Sequence, residues 1–164
     1  RKASFVTEEK SYKAVDRGTM IHRIFQALDF KDYDKDSLKE EIDRLIREKR
    51  IEEDSLDLVE LDKILGFFED PFIKDISQKA TNIRKEESFL MTYEDYYVNG
   101  QIDLMFEIDD KVILVDFKTD RTKRESLYDK QIQIYRQAIE KSLGKKVDTS
   151  LIYWYNFNEF TRID

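Results

Sequence analysis

Gly100-Gln101-Ile102-Asp103-Leu104-Met105-Phe106-Glu107-Ile108-Asp109-Asp110-Lys111-Val112-Ile113-Leu114-Val115-Asp116-Phe117-Lys118 is the stretch that decides how this chain folds. Two strand-like runs, 101–108 and 111–117, flank Asp109-Asp110, a pair suited to a tight hairpin loop. With those two residues as the loop, Ile108 faces Lys111, and continuing the ladder sets Asp103 opposite Asp116. Side chains at i and i+2 of a strand share a face, so Asp116 and Lys118 point the same way. Ile102, Leu104, Phe106, Ile113, Val115 and Phe117 are expected on the other face. Met105, Val112 and Leu114 join the acids' face, which makes the hairpin apolar on both sides with charge at one end only. A loop one residue longer would flip the alignment.

Like charges directly opposite on an antiparallel pair destabilise it. A bound cation removes that cost, because hard divalent ions take carboxylate oxygens as ligands. An apolar strand that ends on an acid and then a cation, with a second acid across the ladder, therefore suggests a metal site for phosphodiester hydrolysis. Asp-x-Lys alone is more often a solvated strand edge or an exposed ion pair, so the register carries this expectation.

The remaining composition bounds the class. The 164 residues suit one domain with a sizeable core. The chain is 40% hydrophobic and 40% charged with four Gly and one Pro, the balance of a helix-rich globular protein. It has no Cys, which excludes disulfides, thiolate zinc sites and iron–sulfur ligation by this segment and fits a reducing compartment. No run has the length of a membrane span, and no secretory signal pattern opens the chain. It begins Arg1-Lys2 rather than with Met, as a piece of a longer protein would.

The net charge of −7 argues against nonspecific DNA binding by the whole surface. Residues 111–146 nevertheless carry ten Lys or Arg against five acids. Arg121, Lys123 and Arg124, just beyond the Asp-x-Lys strand, are the candidate DNA contacts in that segment. A charge-mixed, solvated helix surface would give the same count.

Helical spacing predicts a helix over 17–30 with Asp16 as N-cap, a second over 36–50 and a third over 54–69. Pro71 marks a break, with a short helix over 72–78 after it. The second and third helices look like an insert on the path to the sheet. A strand is expected over 83–93, the hairpin over 98–118, and a helix over 127–142 with Leu127, Ile134, Ala138 and Ile139 inward and Gly144 ending it. Residues 148–157 read as a last strand. Helices, three strands, helix and strand make an α/β domain around a central mixed sheet.

Two further features bear on chemistry. The single histidine, His22, stands four residues after Gly18 on one helix face, where the glycine leaves room for a close approach. A lone His on an amphipathic helix is most often structural, although imidazole is a good transition-metal ligand. Gln131 and Tyr135 share a face of the helix that follows the Asp-x-Lys strand, with Tyr128 and Ala138 near the same stripe. If that helix packs beside the strand, the amide and phenol can bond the DNA backbone or orient Lys118.

Gly18-x-x-x-His22, Glu86-x-x-Phe89, Gly100-x-x-Asp103, Asp116-x-Lys118 and Gln131-x-x-x-Tyr135 occur in the order that marks the RecB-like branch of the PD-(D/E)XK nucleases. Arg17-Gly18-Thr19-Met20-Ile21-His22, the insert ending Gly66-Phe67-Phe68, and Val115-Asp116-Phe117-Lys118-Thr119-Asp120-Arg121 resemble more closely the C-terminal nuclease domains of the AddA family, the A subunits of bacterial ATP-dependent helicase–nucleases. The resemblance runs across nearly the whole chain. It implies a restriction-endonuclease-like core with an N-terminal helical insert: one domain over 1–164, comprising a His-bearing helix at 17–30, the insert at 36–79 and the catalytic sheet and helix at 82–157.

The resemblance also implies metal ligation, by Mg2+ or Mn2+, through His22, Asp103, Asp116 and the Phe117 carbonyl. Lys118 would be the catalytic lysine beside Asp116 and Asp103, with Gln131 and Tyr135 as the helix motif. Lys85-Glu86-Glu87-Ser88-Phe89 departs from the family's single Glu before apolar-Pro-Phe; Glu86, by its distance to Phe89, is the candidate accessory acid. The implied context is a cytoplasmic bacterial enzyme processing double-strand breaks. Its partners would be single-stranded DNA ends, an AddB-type partner subunit, and the helicase portion of the parent chain, with ATP used only by that portion and no membrane. Alternatives from other classes are a degenerate nuclease fold that binds without cutting, and a phosphohydrolase of small nucleotides.

Overall fold

A computed structural model of the chain describes residues 17–163. Helix α1 covers residues 17–27 of that span, and the expected cap Asp16 lies outside the described residues. Then follow α2 (Lys35–Arg47), α3 (Ser55–Leu58), α4 (Leu61–Glu69), α5 (Pro71–Lys79), β1 (Asn82–Tyr93), β2 (Tyr96–Ile108), β3 (Lys111–Lys118), α6 (Glu125–Leu143), β4 (Lys146–Trp154), a 3-10 turn (Tyr155–Phe157) and β5 (Glu159–Ile163). The five strands form one sheet in the order β1-β2-β3-β4-β5. Only β3 and β4 pair in parallel, as the α6 crossover between them requires. The sheet is mixed and flanked by helices, as the sequence pattern predicts.

Local chemistry sets the helix boundaries. α2 begins before residue 36 because Asp34 caps it: its carboxylate accepts from Ser37 N at 2.7 Å while Ser37 Oγ accepts from Asp34 N at 2.9 Å. The single helix expected over 54–69 is two. Val59 between them is extended (φ −117°, ψ 152°), and Glu60 N donates to the buried Tyr155 phenol at 2.7 Å. That bond draws the backbone out of the helical ladder at a position where the apolar spacing runs on unbroken. Asp70 then accepts from Phe72 N and Ile73 N at 3.0 Å each, and Pro71 opens α5 without losing a needed donor.

The helices cover both faces of the sheet. On one, α1, α2, α4 and α5 bring Ile24, Phe25, Leu38, Ile42, Phe67 and Ile73 against Leu104, Phe106, Ile113, Val115, Phe117 and Tyr153. The expected insert therefore shares its core with the sheet. On the other face, α6 lays Ile139 over Met105, Val112 and Leu114, and Ile132 over Ile152 and Trp154. Leu127, expected inward, is 59% exposed; the inward stripe of α6 starts instead with the half-buried Tyr128 and continues through Ile132. Gly144 ends α6 at φ 65°, as its position predicts. The last expected strand stops at Trp154, where the 3-10 turn and Asn158 (φ 53°) reverse the chain into β5, an additional strand.

The hairpin register is the predicted one. Ile108 pairs with Lys111 and Leu104 with Val115, so Asp103 and Asp116 are the next residues on the two strands, where the pairing stops. Only Ile102 departs from its expected face, packing with Met105, Val112 and Leu114. The cause lies across the ladder, where pairing of β1 with β2 skips Glu86 and Asp103 and Glu86 adopts φ 51°. This left-handed residue breaks the strict alternation beside Asp103.

Candidate active site

The end of β3 meets α1 and α6 around an open cavity of about 300 Å³ lined by His22, Gln101, Asp103, Asp116, Phe117, Lys118, Thr119, Asp120, Tyr128, Gln131 and Tyr135. Residues up to 113 positions apart in the chain converge there because three devices dock their elements.

The first device fixes α1 on β3. Phe25 stacks on Phe117 with ring centroids 4.2 Å apart. One turn earlier, His22 places Nδ1 2.9 Å from Gly18 O and Nε2 2.9 Å from Phe117 O. The space left at Gly18 is filled by Thr119, whose Oγ1 would lie 2.9 Å from any Cβ there. The close approach predicted at this glycine is thus made by the strand-exit loop.

The second device is electrostatic. Asp103 Oδ2 accepts from Phe117 N at 2.8 Å and lies 3.5 Å from His22 Nε2. Asp116 Oδ2 is buried and forms an ion pair with Lys118 Nζ at 2.8 Å, but it has no aligned hydrogen-bond partner among the described residues. Burial opposes charge on His22, yet the Asp103 hydrogen bond and charge, the Gly18 carbonyl and Asp116 outweigh it and lift the imidazole to about 9. Both ring nitrogens then donate. Burial also works against Asp103, but hydrogen bonds from Asp116 and His22, the His22 charge and the Phe117 amide hold it down to about 2. Asp116 moves the other way, well above the usual carboxylate range, through burial and then the adjacent Asp103, against the pull of Lys118. Lys118 stays protonated: burial pulls it down, and Asp116, Tyr128 and Asp103 more than reverse that.

The third device fixes α6. Lys118 Nζ donates to Gln131 Oε1 at 3.3 Å, and Gln131 Nε2 donates to Tyr135 Oη at 2.9 Å. Tyr135 in turn packs edge-on against Phe89, with centroids 4.9 Å apart. Phe89 pairs across the ladder with Gly100, and a Cβ at Gly100 would sit 2.4 Å from Phe89 Cζ and 2.9 Å from Tyr135 Cε1. The glycine is needed for both rings to reach that spot.

Seven of the sequence candidates, His22, Asp103, Asp116, Phe117, Lys118, Gln131 and Tyr135, line this one cavity. Glu86 stands beside its rim: its carboxylate accepts from Gln26 Nε2 at 2.8 Å and Gln101 Nε2 at 3.4 Å, linking α1 to β2. Arg121, Lys123 and Arg124 are exposed in the loop before α6 and do not line the cavity. Lys123 pairs with Glu159 and lies 5.4 Å from the Phe157 ring centroid. Gln101, Thr119, Asp120 and Tyr128 are wall residues that the motifs leave without a role. Tyr128 had a signal, since it lies three positions before Gln131 and seven before Tyr135.

Among the described residues, no group of three or more His, Cys, Asp or Glu side chains is gathered into a ready metal cage. The donors nevertheless fit a divalent ion. Asp116 Oδ2 is a buried oxygen with no aligned hydrogen bond beside its Lys118 ion pair, and Asp103 and the Phe117 carbonyl, which accept from the Phe117 amide and His22, bring further oxygens to the same cavity. His22 Nδ1 is oriented by Gly18 O, so Nε2, once it gave up its proton, would be the nitrogen offered to an ion. Oxygen donors with one imidazole suit Mn2+ or Mg2+.

The sequence profile of the PD-(D/E)XK nuclease superfamily matches residues 1–162. This chain belongs to that superfamily. The PD-(D/E)XK domain is similar along its length to the A subunits of ATP-dependent helicase/nucleases from several bacteria. It is 32% identical to that of Staphylococcus epidermidis, over 93% of this chain and 14% of the relative. The identity is 30% with the Clostridium botulinum Kyoto protein, over 100% and 14%. With that of Anoxybacillus flavithermus it is 29%, over 91% and 13%. The domain thus spans about a seventh of these relatives. Its fold resembles a crystallised Eubacterium rectale protein described as a candidate exonuclease, with a TM-score of 0.53, 13% identity, and coverage of 93% of this chain and 59% of that one. No helix among the described residues is long and apolar enough to cross a membrane.

Proposed function

We propose that this PD-(D/E)XK domain is a divalent-metal-dependent deoxyribonuclease that hydrolyses phosphodiester bonds of single-stranded DNA. Its context would be an ATP-dependent helicase–nuclease that processes double-strand breaks for recombinational repair. The observation that carries this is Lys118, a protonated ammonium set 2.8 Å from Asp116 and 3.3 Å from Gln131 in the same cavity as His22 and Asp103.

His22 Nε2, Asp103, Asp116 and the Phe117 carbonyl would hold Mg2+ or Mn2+. When bound, such an ion supplies positive charge against the scissile phosphate and acidifies water. The chain's own residues do the rest. Lys118, kept cationic, neutralises charge that develops on the phosphoryl oxygens rather than accepting a proton. Gln131 and Tyr135 hold that ammonium in place through consecutive hydrogen bonds. Asp103, fixed by the Phe117 amide and kept ionised, would offer such an ion a permanently negative oxygen.

The similarity to the A subunits of helicase/nucleases supports an AddB-type partner and a helicase portion in the same parent chain, which would deliver unwound ends. The intact set of acids, lysine and histidine favours cutting over a binding-only role.

The test is cleavage of end-labelled single-stranded DNA by the wild-type protein and Asp116→Ala, with Mg2+ or Mn2+ and with EDTA, alongside nucleoside triphosphates as competing substrates. Cutting of DNA by wild type alone, abolished by EDTA, is expected. A folded Asp116→Ala protein that still cuts would refute the assignment, and hydrolysis of nucleotides without DNA cleavage would move the domain to another substrate class.

A further inference from the structure

Tyr128 lies on the cavity face of α6, and Lys118 Nζ is 4.1 Å from its ring centroid. The ammonium is therefore enclosed by Asp116 Oδ2 at 2.8 Å, Gln131 Oε1 at 3.3 Å and an aromatic face. The ring attracts the cation through its quadrupole and competes for no lone pair. It can define where the charge sits and still leave N–H groups free for oxygen acceptors.

The ring is itself anchored. Tyr128 Oη donates to Asp120 Oδ2 at 2.8 Å, and its ring packs at a tilt against Trp154, with centroids 6.0 Å apart. Asp120 belongs to the strand-exit loop, which Asn156 Nδ2 clamps by donating to Thr119 O at 2.7 Å and Asp120 O at 2.9 Å. The 3-10 turn after β4 thus holds the loop, the loop holds the phenol, and the phenol's ring faces the lysine. None of these groups belongs to the expected metal ligands or to the Gln131–Tyr135 pair.

We propose that Tyr128 is a positioning residue for Lys118, its aromatic face fixing the ammonium and Asp120 fixing the ring. This rests on the cavity being the nuclease site. It predicts that the ring matters more than the hydroxyl.

The experiment compares the wild type with Tyr128→Phe and Tyr128→Leu, all three checked for native melting. Steady-state cleavage of single-stranded DNA is followed together with the ¹H–¹³C signals of the Lys118 ε-methylene in metal-free protein, assigned with Lys118→Arg. Tyr128→Leu is expected to lower kcat about 10- to 30-fold with KM little changed, the size of a desolvated cation–π contact. Tyr128→Phe should lose no more than about 3-fold, as the ring remains. The Lys118 ε-protons should be shifted upfield by the ring in wild type and Tyr128→Phe, and should return to ordinary positions in Tyr128→Leu.

Equal losses in the two variants, a change in KM alone, unchanged kcat in Tyr128→Leu or no upfield shift in the wild type would each overturn the proposal. If the wild type cuts no DNA, the nuclease assignment fails by itself, and the methylene signals still decide the Tyr128–Lys118 geometry.

Discussion

Gly100 has no side chain because two aromatic rings occupy the space where one would go. An alanine Cβ there would lie 2.4 Å from Phe89 Cζ and 2.9 Å from Tyr135 Cε1, whereas ordinary contact begins at 3.4 Å. Phe89 must then retreat by about 1 Å and Tyr135 by about half that. Forcing one extra carbon into such a contact costs about 1–3 kcal/mol. The functional cost should be larger, because Tyr135 bonds Gln131, which bonds Lys118. A misplacement of about 1 Å at a reacting group can slow catalysis about 100-fold. Gly100→Ala should therefore lower the urea midpoint modestly and the rate of single-stranded DNA cleavage by one to two orders of magnitude. Adding Phe89→Val, which makes room, should recover part of both losses. Wild-type stability and rate in Gly100→Ala would refute the inference that the Phe89–Tyr135 contact positions the lysine.

Asp116→Asn removes the charge whose folded-state pKa is raised, so metal-free Asp116→Asn should melt at pH 7 no lower than wild type while losing DNA cleavage; a large drop in melting temperature would contradict the repulsion between Asp103 and Asp116. His22, lifted from 6.5 to about 9, stabilises the metal-free protein fully below pH 6.5 and loses that contribution as pH rises through 9. Urea midpoints should fall across that window and fall less in His22→Gln. Because the ligating nitrogen must shed the same proton, Mn2+ affinity measured by calorimetry should rise over the same range, and a flat profile would remove His22 from the ligand set. Tyr155→Phe strands the Glu60 amide that now donates to the phenol at 2.7 Å, and should cost about 1–2 kcal/mol in urea unfolding without changing DNA affinity.

The centre of the site was legible because a two-residue loop and period-2 alternation together leave one register for the hairpin, and that register brings Asp103 and Asp116 together. The Gln131–Tyr135 spacing likewise showed a helix face, and the crossover after β3 carries that face to the site. Other features depend on contacts between distant residues, which local patterns cannot carry. Leu58, Leu61, Ile64, Leu65 and Phe68 keep helical spacing across Val59, while at the break the Glu60 amide is taken by the Tyr155 phenol, 95 positions away. Ile102 changes face because Glu86 on the neighbouring strand takes a positive φ, a choice glutamate does not announce. Tyr128 stood as an ordinary neighbour on the stripe, and its role emerges only when Lys118 is found over its ring. The candidate DNA contacts Arg121, Lys123 and Arg124 lie exposed in the loop before α6, and the pairing of Lys123 with Glu159, 36 positions on, is another contact that local patterns do not carry.

The most direct measurement is a crystal structure of the protein soaked in Mn2+, with anomalous data collected to locate the ion. One anomalous peak is expected in the cavity, within about 2.0–2.3 Å of His22 Nε2, an oxygen of each of Asp103 and Asp116, and the Phe117 carbonyl, with the His22–Phe117 hydrogen bond broken. A cavity without a peak at saturating Mn2+, His22 still donating to Phe117 O, would contradict the metal-dependent site on which the proposed function stands.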